Sequence, residues 1–403
     1  MISITSKENC TGCYACVNIC PVASITMETD SEGFWYPVVD DCTCTQCGLC
    51  TIACPIAQRT TGENTEESMP EAYAAYSTHE ELRLQSSSGG LFSLLAETVI
   101  DDGGVVFGAR FDGDFNVVHD YVENTKHLFK MRGSKYVQSR IGDTYKQAEE
   151  FLKHGRLVMY SGTPCQIGGL KGYLGRDYEN LVCQDIICHG VPSPKVWQKY
   201  VAHRENYAGS KARRIAFRRK DEGWKRYSVS FWFENDTEYV ETLRTDLYMQ
   251  AFLKNICLRP SCHACHFKTM HRESDITLAD FWGIQHMMPA MDDDKGTSLV
   301  LLHTEQGHQL FRGLHNKIEV CSVNPSEAMR YNSAMVKSVK MHPSREAFFL
   351  SLDDERIDVL MEQYCRDKLH VRLMKKLKLE VCRILERLGL LDTSRKVLTR
   401  YRG

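Results

Sequence analysis

The chain has no apolar run approaching the roughly 18–20 residues that cross a bilayer, so no membrane-spanning segment is expected. Its first residues, Met1-Ile2-Ser3-Ile4-Thr5, carry neither the basic region nor the apolar stretch of a secretory leader. A cytoplasmic location is the resulting expectation, and the reducing cytosol disfavours disulfides. No Gly-x-Gly-x-x-Gly follows a strand signal, which removes support for a nicotinamide-binding Rossmann site. Excess charge is lacking as well: the formal net charge is −2, and no nucleic-acid partner is expected.

Cysteine is what the chain has in quantity, 18 in 403 residues. That exceeds any need of a core, and with disulfides disfavoured the surplus points to metal. A length past the roughly 250–300 residues at which one core stops growing predicts two or three domains. Hydrophobic residues at 43% and charged residues at 25% fit a globular protein and exclude a disordered one. The near-neutral total hides an asymmetry. Residues 1–72 carry ten acids against Lys7 and Arg59, a net −8, while residues 366–403 carry twelve bases and four acids, a net +8.

The cysteines of the head form an internal repeat. Residues 10–21 read Cys-Thr-Gly-Cys-Tyr-Ala-Cys-Val-Asn-Ile-Cys-Pro, and residues 44–55 read Cys-Thr-Gln-Cys-Gly-Leu-Cys-Thr-Ile-Ala-Cys-Pro. A cuboidal iron–sulfur cluster needs four thiolates, and three cysteines two residues apart let one tight loop wrap three corners. The run C-x2-C-x2-C-x3-C-P is that of bacterial two-cluster ferredoxins, in which the fourth cysteine serves the other cluster. Cys10, Cys13, Cys16 and Cys54 are therefore assigned to one 4Fe–4S cluster, and Cys44, Cys47, Cys50 and Cys20 to the second. Zinc knuckles, the competing reading, pair two C-x2-C units and lack the C-P. Cys42 is left over and is expected to be a free buried thiol. A two-cluster ferredoxin carries single electrons and performs no substrate chemistry, so the other 340-odd residues must use them.

Residues 60–71 are polar and acidic without apolar periodicity and read as a linker. Strand and helix signals then alternate: a helix at 91–100, a strand at 103–111, a helix at 145–154, a strand at 157–160, a helix at 166–174 and a strand at 181–187. Segments 213–219, 226–233 and 237–243 read as an antiparallel meander, and 276–282 and 298–303 as further strands. The fold class expected is α+β (mixed α/β) with a mixed sheet: a ferredoxin-type domain at 1–59, a linker at 60–71, a body at 72–345 and a basic helical tail at 346–403. In the tail, Leu369, Leu373, Leu377, Ile384 and Leu388 share a stripe flanked by Lys368, Arg372, Lys375, Lys376 and Arg383. Such a helix either packs on the body with a solvated basic face or meets an anionic membrane surface or an acidic partner.

Several constellations in the body can carry chemistry. Ser86-Ser87-Ser88-Gly89-Gly90 opens the helix at Leu91, where free N–H groups and the helix dipole suit a phosphate; a plain N-cap explains the same residues. The turns Gly162-Thr163-Pro164-Cys165-Gln166 and Cys188-His189-Gly190 follow short buried strands, where open α/β sheets place ligands. Cys257-x4-Cys262-x2-Cys265 offers three thiolates and needs a fourth from elsewhere; zinc completed by His263 or His266 and an iron–sulfur cluster fit the spacing equally. Cys183, Cys321, Cys365 and Cys382 read as core. Lys135 and Lys295 stand among small residues and either hold a phosphate or are solvated; Lys135 is the better placed.

These residues resemble the β-subunit family of coenzyme F-420 (deazaflavin) hydrogenase/dehydrogenase, in the bacterial form fused to an N-terminal two-cluster ferredoxin. The resemblance rests on Ser88-Gly89-Gly90, Arg132-Gly133-Ser134-Lys135-Tyr136, the Gly162–Gln166 turn, Cys188-His189-Gly190-Val191-Pro192-Ser193-Pro194, Cys262-His263-Ala264-Cys265 and Ile276-Thr277-Leu278-Ala279-Asp280-Phe281-Trp282-Gly283, and covers residues 1–345. It implies an FAD beside a third 4Fe–4S cluster, with the flavin converting hydride transfer into single-electron transfer. It tips the downstream cysteines toward iron–sulfur, with Cys188, Cys262 and Cys265 as ligands and Cys165 and Cys257 competing for the fourth place. Ser88, Gly89, Gly90, Lys135, Gly162 and Thr163 become the flavin residues, and His189 either a proton relay or a structural histidine. The implied partner is a redox protein or a small electron donor. The competing function is a non-enzymatic adaptor that carries clusters and docks redox partners.

Overall fold

The computed structural model describes residues 2–4, 6–58 and 69–366, and beyond these 373, 374, 377, 380, 381 and 384. Most of the expected linker, Cys382 and most of the basic stripe lie outside the described residues.

The head is held by one antiparallel hairpin, β1 (Ile25–Thr29) and β2 (Trp35–Val39), flanked by the short helices Ala15–Ile19 and Leu49–Ile52. The body strands are β3 (Glu71–Ser77), β4 (Val105–Phe111), β5 (Val117–Val122), β6 (Val158–Gly162), β7 (Leu181–Ile186), β8 (Ala212–Arg219), β9 (Ser228–Phe233), β10 (Glu238–Thr242), β11 (Ile276–Asp280), β12 (Ser298–Leu302) and β13 (Ile318–Val323). Eight of them form a mixed sheet in the order β13-β3-β12-β11-β7-β6-β4-β5; β8, β9 and β10 form a separate antiparallel meander. Only the centre is parallel, β11 to β7 to β6 to β4. There Val158–Tyr160 and Leu181–Asp185 are buried without a break, as strands covered on both faces must be.

Side-chain alternation sorts the two faces. Val106, Met159 and Val300 point to the Leu91–Asp101 helix, while Phe107, Val158 and Tyr160 point to the helices Thr144–Lys153 and Pro164–Leu174. The Pro164–Leu174 helix also seats the head. A Cβ at Gly172 would strike the carbonyl oxygen of Ala53, so only glycine allows this approach. Elsewhere the head is tied by a bidentate Arg345–Glu32 pair at 2.5 and 2.8 Å and by Asn18 Nδ2 donating to Gly142 O at 2.8 Å.

A second core lies under the meander. Trp197, from the Pro194–Ala208 helix, is fully buried among Phe111, Phe217, Phe231 and Tyr248. Phe348, Leu352, Leu360 and Met361 belong to this same core and are completely buried. The boundary expected at 345/346 therefore falls inside a packed unit, because the apolar faces of 345–350 and 357–365 cover the Pro194–Ala208 and Leu247–Leu253 helices. Among the described residues no helix is long and apolar enough to cross a membrane.

Candidate functional site

In the head, Cys10, Cys13, Cys16 and Cys54 line one small cavity, and Cys20, Cys44, Cys47 and Cys50 line another. Each cavity thus takes three cysteines of one run and the last cysteine of the other. The crossing follows from the turns after Cys16 and Cys50: helices Ala15–Ile19 and Leu49–Ile52 run side by side and carry Cys20 and Cys54 past each other. Burial, with Cys10 and Cys54 close by, pushes the Cys13 thiol up to about 12. Thiols held together in this way ionise only against a metal cation, which suits the donor set of a cluster. Sulfurs of both sets accept hydrogen bonds, from Arg259 Nη2 to Cys10 at 3.6 Å and from Ile2 N–H to Cys50 at 3.2 Å. Cys42 is exposed.

In the body, strand ends and loops bring four cysteines together. Cys165 opens the Pro164–Leu174 helix after β6, Cys188 follows β7, and Cys262 and Cys265 stand in the loop after the Leu247–Leu253 helix. Burial raises the thiols of Cys165, Cys188 and Cys262, and the sulfurs of this group, Cys265 included, oppose one another's ionisation. Cys257 is elsewhere. It is fully buried in the aromatic core beside Cys365 and Tyr248, so the two candidates for the fourth place are separated by the fold. His263 donates Nδ1–H to Val339 O at 3.2 Å. Among the described residues no three His, Cys, Asp or Glu side chains close on a single ion.

Beside this group opens a cavity of about 490 Å³ whose walls include Ser88, Gly90, Lys135, Gly162, Thr163, Cys188 and His189. Its size is that of a small-molecule or cofactor site. The Leu91–Asp101 helix enters it from Gly90, which takes φ +90° and leaves the first turn without a side-chain cap. Gly89 turns away. Its N–H is taken by Ser298 Oγ at 3.0 Å, and a Cβ there would lie 2.5 Å from Ala75 O, so its smallness serves the sheet contact.

Lys135 Nζ has carbonyl partners: Gly133, Met131 and Arg132 at 3.0, 3.1 and 3.3 Å. Burial pushes it down to about 7. An anion entering the cavity would supply the counter-charge these carbonyls cannot. Arg218 adds a second cation; its guanidinium is held by Asp280 at 2.7 Å, Tyr136 OH at 3.0 Å and Ser87 O at 3.0 Å. Arg218 Nε and His119 Nδ1 are buried without a hydrogen-bond partner among the described residues. Lys220 Nζ fixes the serine loop through Ser88 O and Arg83 O, both at 2.8 Å. At the other end the wall is neutral: Thr163 N–H donates to Gln166 Oε1 at 2.9 Å, Gln166 Nε2 to Ser139 at 2.9 Å and Ser161 Oγ to Gln184 at 2.6 Å. His189 donates Nε2–H to Asn255 Oδ1 at 2.7 Å, and burial holds its imidazole below the ordinary range. Lys295 lies apart, paired with Glu80.

Residues 9–57 match the 4Fe-4S dicluster domain, and residues 155–327 match the family described as the C terminus of the coenzyme F420 hydrogenase/dehydrogenase beta subunit. Residues 155–327 are thus similar to the coenzyme F420 hydrogenase/dehydrogenase β subunit, and the head before them is similar to two-cluster 4Fe-4S domains. The dicluster match makes the head an iron–sulfur domain, and the β-subunit match points to an oxidoreductase role. A chain of the F420-reducing NiFe hydrogenase complex from Methanosarcina barkeri is similar to this one at 18% identity, over 70% of this chain and 99% of that one, with a TM-score of 0.45. No curated protein matches.

Arg218, Lys220, Arg259, His119 and Gln184 carry no signal in the sequence, whereas Gln166 lies in the Gly162–Gln166 turn that does. Arg218 stands in Arg213-Arg214-Ile215-Ala216-Phe217-Arg218-Arg219, where nothing local tells the buried arginine from the exposed Arg213 and Arg214 or the half-buried Arg219. Asp280 carried a usable signal, since it lies in the Ile276–Gly283 stretch quoted for the family; its partner did not.

Proposed function

We propose that this chain is a flavin-dependent iron–sulfur oxidoreductase whose 490 Å³ cavity holds FAD beside a third 4Fe–4S cluster ligated by Cys165, Cys188, Cys262 and Cys265. The observation that carries the reading is Cys188. It belongs both to the buried cysteine group and to the cavity wall, so a two-electron and a one-electron site share one residue. When bound, a flavin supplies the exchange between hydride and single electrons that clusters cannot make alone.

The chain's own residues bind and shield. The open N-terminus at Gly90, with Ser88, Lys135 and Arg218, would hold the anionic pyrophosphate. Thr163, Gln166, Ser161 and Gln184 would face the uncharged ring with amide and hydroxyl groups. His189, its proton committed to Asn255, acts as a neutral wall that orients the Cys188 turn. The two-electron reactant would be a hydride carrier, for which the β-subunit match suggests the deazaflavin class, and a one-electron protein would be the partner at the head.

The test compares Cys165→Ser with Cys257→Ser in the anaerobically purified full chain. Cys165→Ser should lower iron from about twelve to about eight per chain, the count of one cubane. Cys257→Ser should keep all the iron and lose about 1–3 kcal/mol of stability through a buried hydroxyl without a partner. Iron loss from the second variant alone would overturn the ligand set, and a colourless cavity that takes up no FAD would favour the adaptor.

A further inference from the structure

Arg259 is fully buried, and its guanidinium does not end on a carboxylate. Nε donates to Cys10 O at 2.8 Å, Nη2 to Trp35 O at 2.9 Å and to Cys10 Sγ at 3.6 Å, and Nη1 to Gln138 Oε1 at 3.1 Å. The rings of Tyr36 and Phe34 flank it at 4.2 and 5.4 Å. A dry cation of this kind needs a counter-charge, and the thiolate of Cys10 is the group placed to give it. The backbone of the same residue is tied to the other cysteine group: Arg259 O accepts Cys262 N–H at 3.0 Å, and Val191, whose carbonyl takes Arg259 N–H at 3.0 Å, donates its own N–H to Cys262 Sγ at 3.4 Å. One residue therefore bonds to a cysteine of the body group through its backbone and to a cysteine of the head through its side chain.

Among the described residues the second head set has no such cation. Its sulfurs meet Ile2 N–H and the Ser24 hydroxyl, and Cys47 is exposed. Reducing a cluster adds negative charge, so a guanidinium donating to one of its sulfurs stabilises the reduced form and raises the potential.

We propose that Arg259 is a positioning residue that joins the body cysteines to the Cys10-held cluster and sets that cluster's potential above that of the Cys44-held cluster. The Cys10 set is then the internal electron station, and the exposed Cys47 edge faces a one-electron partner. Each transfer moves one electron, with no bond made or broken. The order of stations rests on the third cluster proposed above; the effect on the Cys10-held cluster does not.

The test is a redox titration, followed by electron paramagnetic resonance, of the anaerobically purified full chain and of Arg259→Gln and Arg259→Lys. Cys47→Ser, which perturbs only the cluster it ligates, assigns the two head signals. Arg259→Gln should lower the midpoint of the Cys10-held cluster alone, shifting its reduced-to-oxidised ratio about tenfold, or about 59 mV for one electron. Arg259→Lys keeps the charge without the fork and should fall between. A midpoint unchanged in both variants at full iron content would overturn the proposal, as would a shift confined to the Cys44-held cluster. Loss of the Cys10-held cluster from both variants would also overturn it, leaving Arg259 a scaffold. If the wild-type chain binds only about eight irons, the third cluster fails while the Arg259 shift still stands or falls by itself.

Discussion

Gly169 sits against Cys13: a Cβ on the glycine would lie 2.8 Å from the cysteine's Cβ and 3.0 Å from its sulfur. Gly169 follows Cys165 by four residues, just over one turn of the same helix and about 6 Å along its axis. The body cysteines and the first head set are thus spaced by a rigid element. Gly169→Val should force the head away, costing about 1–3 kcal/mol by overpacking. Thermal unfolding and the intensity of the Cys10-held cluster's signal would both register it, with the Cys44-held cluster less affected.

Crossed ligation has its own signature. Cys20→Ser should damage the cluster held by Cys44, Cys47 and Cys50, because Cys20 lines their cavity. Loss confined to the Cys10-held signal would contradict the assignment.

The cavity should bind flavin with a defined pH dependence. Burial lowers Lys135 from 10.5 to about 7, so between those values the empty folded protein keeps it neutral while the unfolded chain is protonated. The unfolded state then binds more protons, and this group makes the empty protein more stable as pH rises through the window. Binding of the pyrophosphate runs the other way, since it favours the charged amine. Affinity for FAD should fall as pH rises above about 7, and the slope should vanish in Lys135→Met. At neutral pH that variant should bind roughly tenfold more weakly, the scale of one hydrogen bond to a charged group. Gly90→Val should release flavin outright, since φ +90° and a Cβ 3.3 Å from Ser77 Cβ oppose any side chain. Fluorescence of released flavin measures both.

Phe348→Ala tests where the body ends. Phe348 is fully buried beneath the meander, so truncation should cost about 3–5 kcal/mol, seen as a lower unfolding midpoint. A helical appendage would lose far less.

Much of this was legible in the residues. The doubled cysteine run predicts the two groups of four that line the head cavities, because cluster geometry dictates spacing within a few residues. The central strands Val158–Gly162 and Leu181–Ile186 announced themselves as short apolar runs. The edge strands β5 and β13 were missed, since Val117–Val122 and Ile318–Val323 are half polar and owe their state to neighbours rather than to pattern. Cys165 and Cys257 could not be separated by spacing, because the fold joins segments almost a hundred residues apart. Gly89 was assigned to the phosphate on its smallness; the structure uses that smallness against Ala75 and Ser298. Arg259 gave no signal beyond standing three residues before Cys262.

The central claim is that one-electron and two-electron sites meet at Cys188. Metal and flavin analysis of the anaerobically purified full chain tests it most directly. About twelve irons, from three cubanes, and one FAD per chain are expected. Stoichiometric zinc in place of the last four irons, together with no flavin bound, would contradict it.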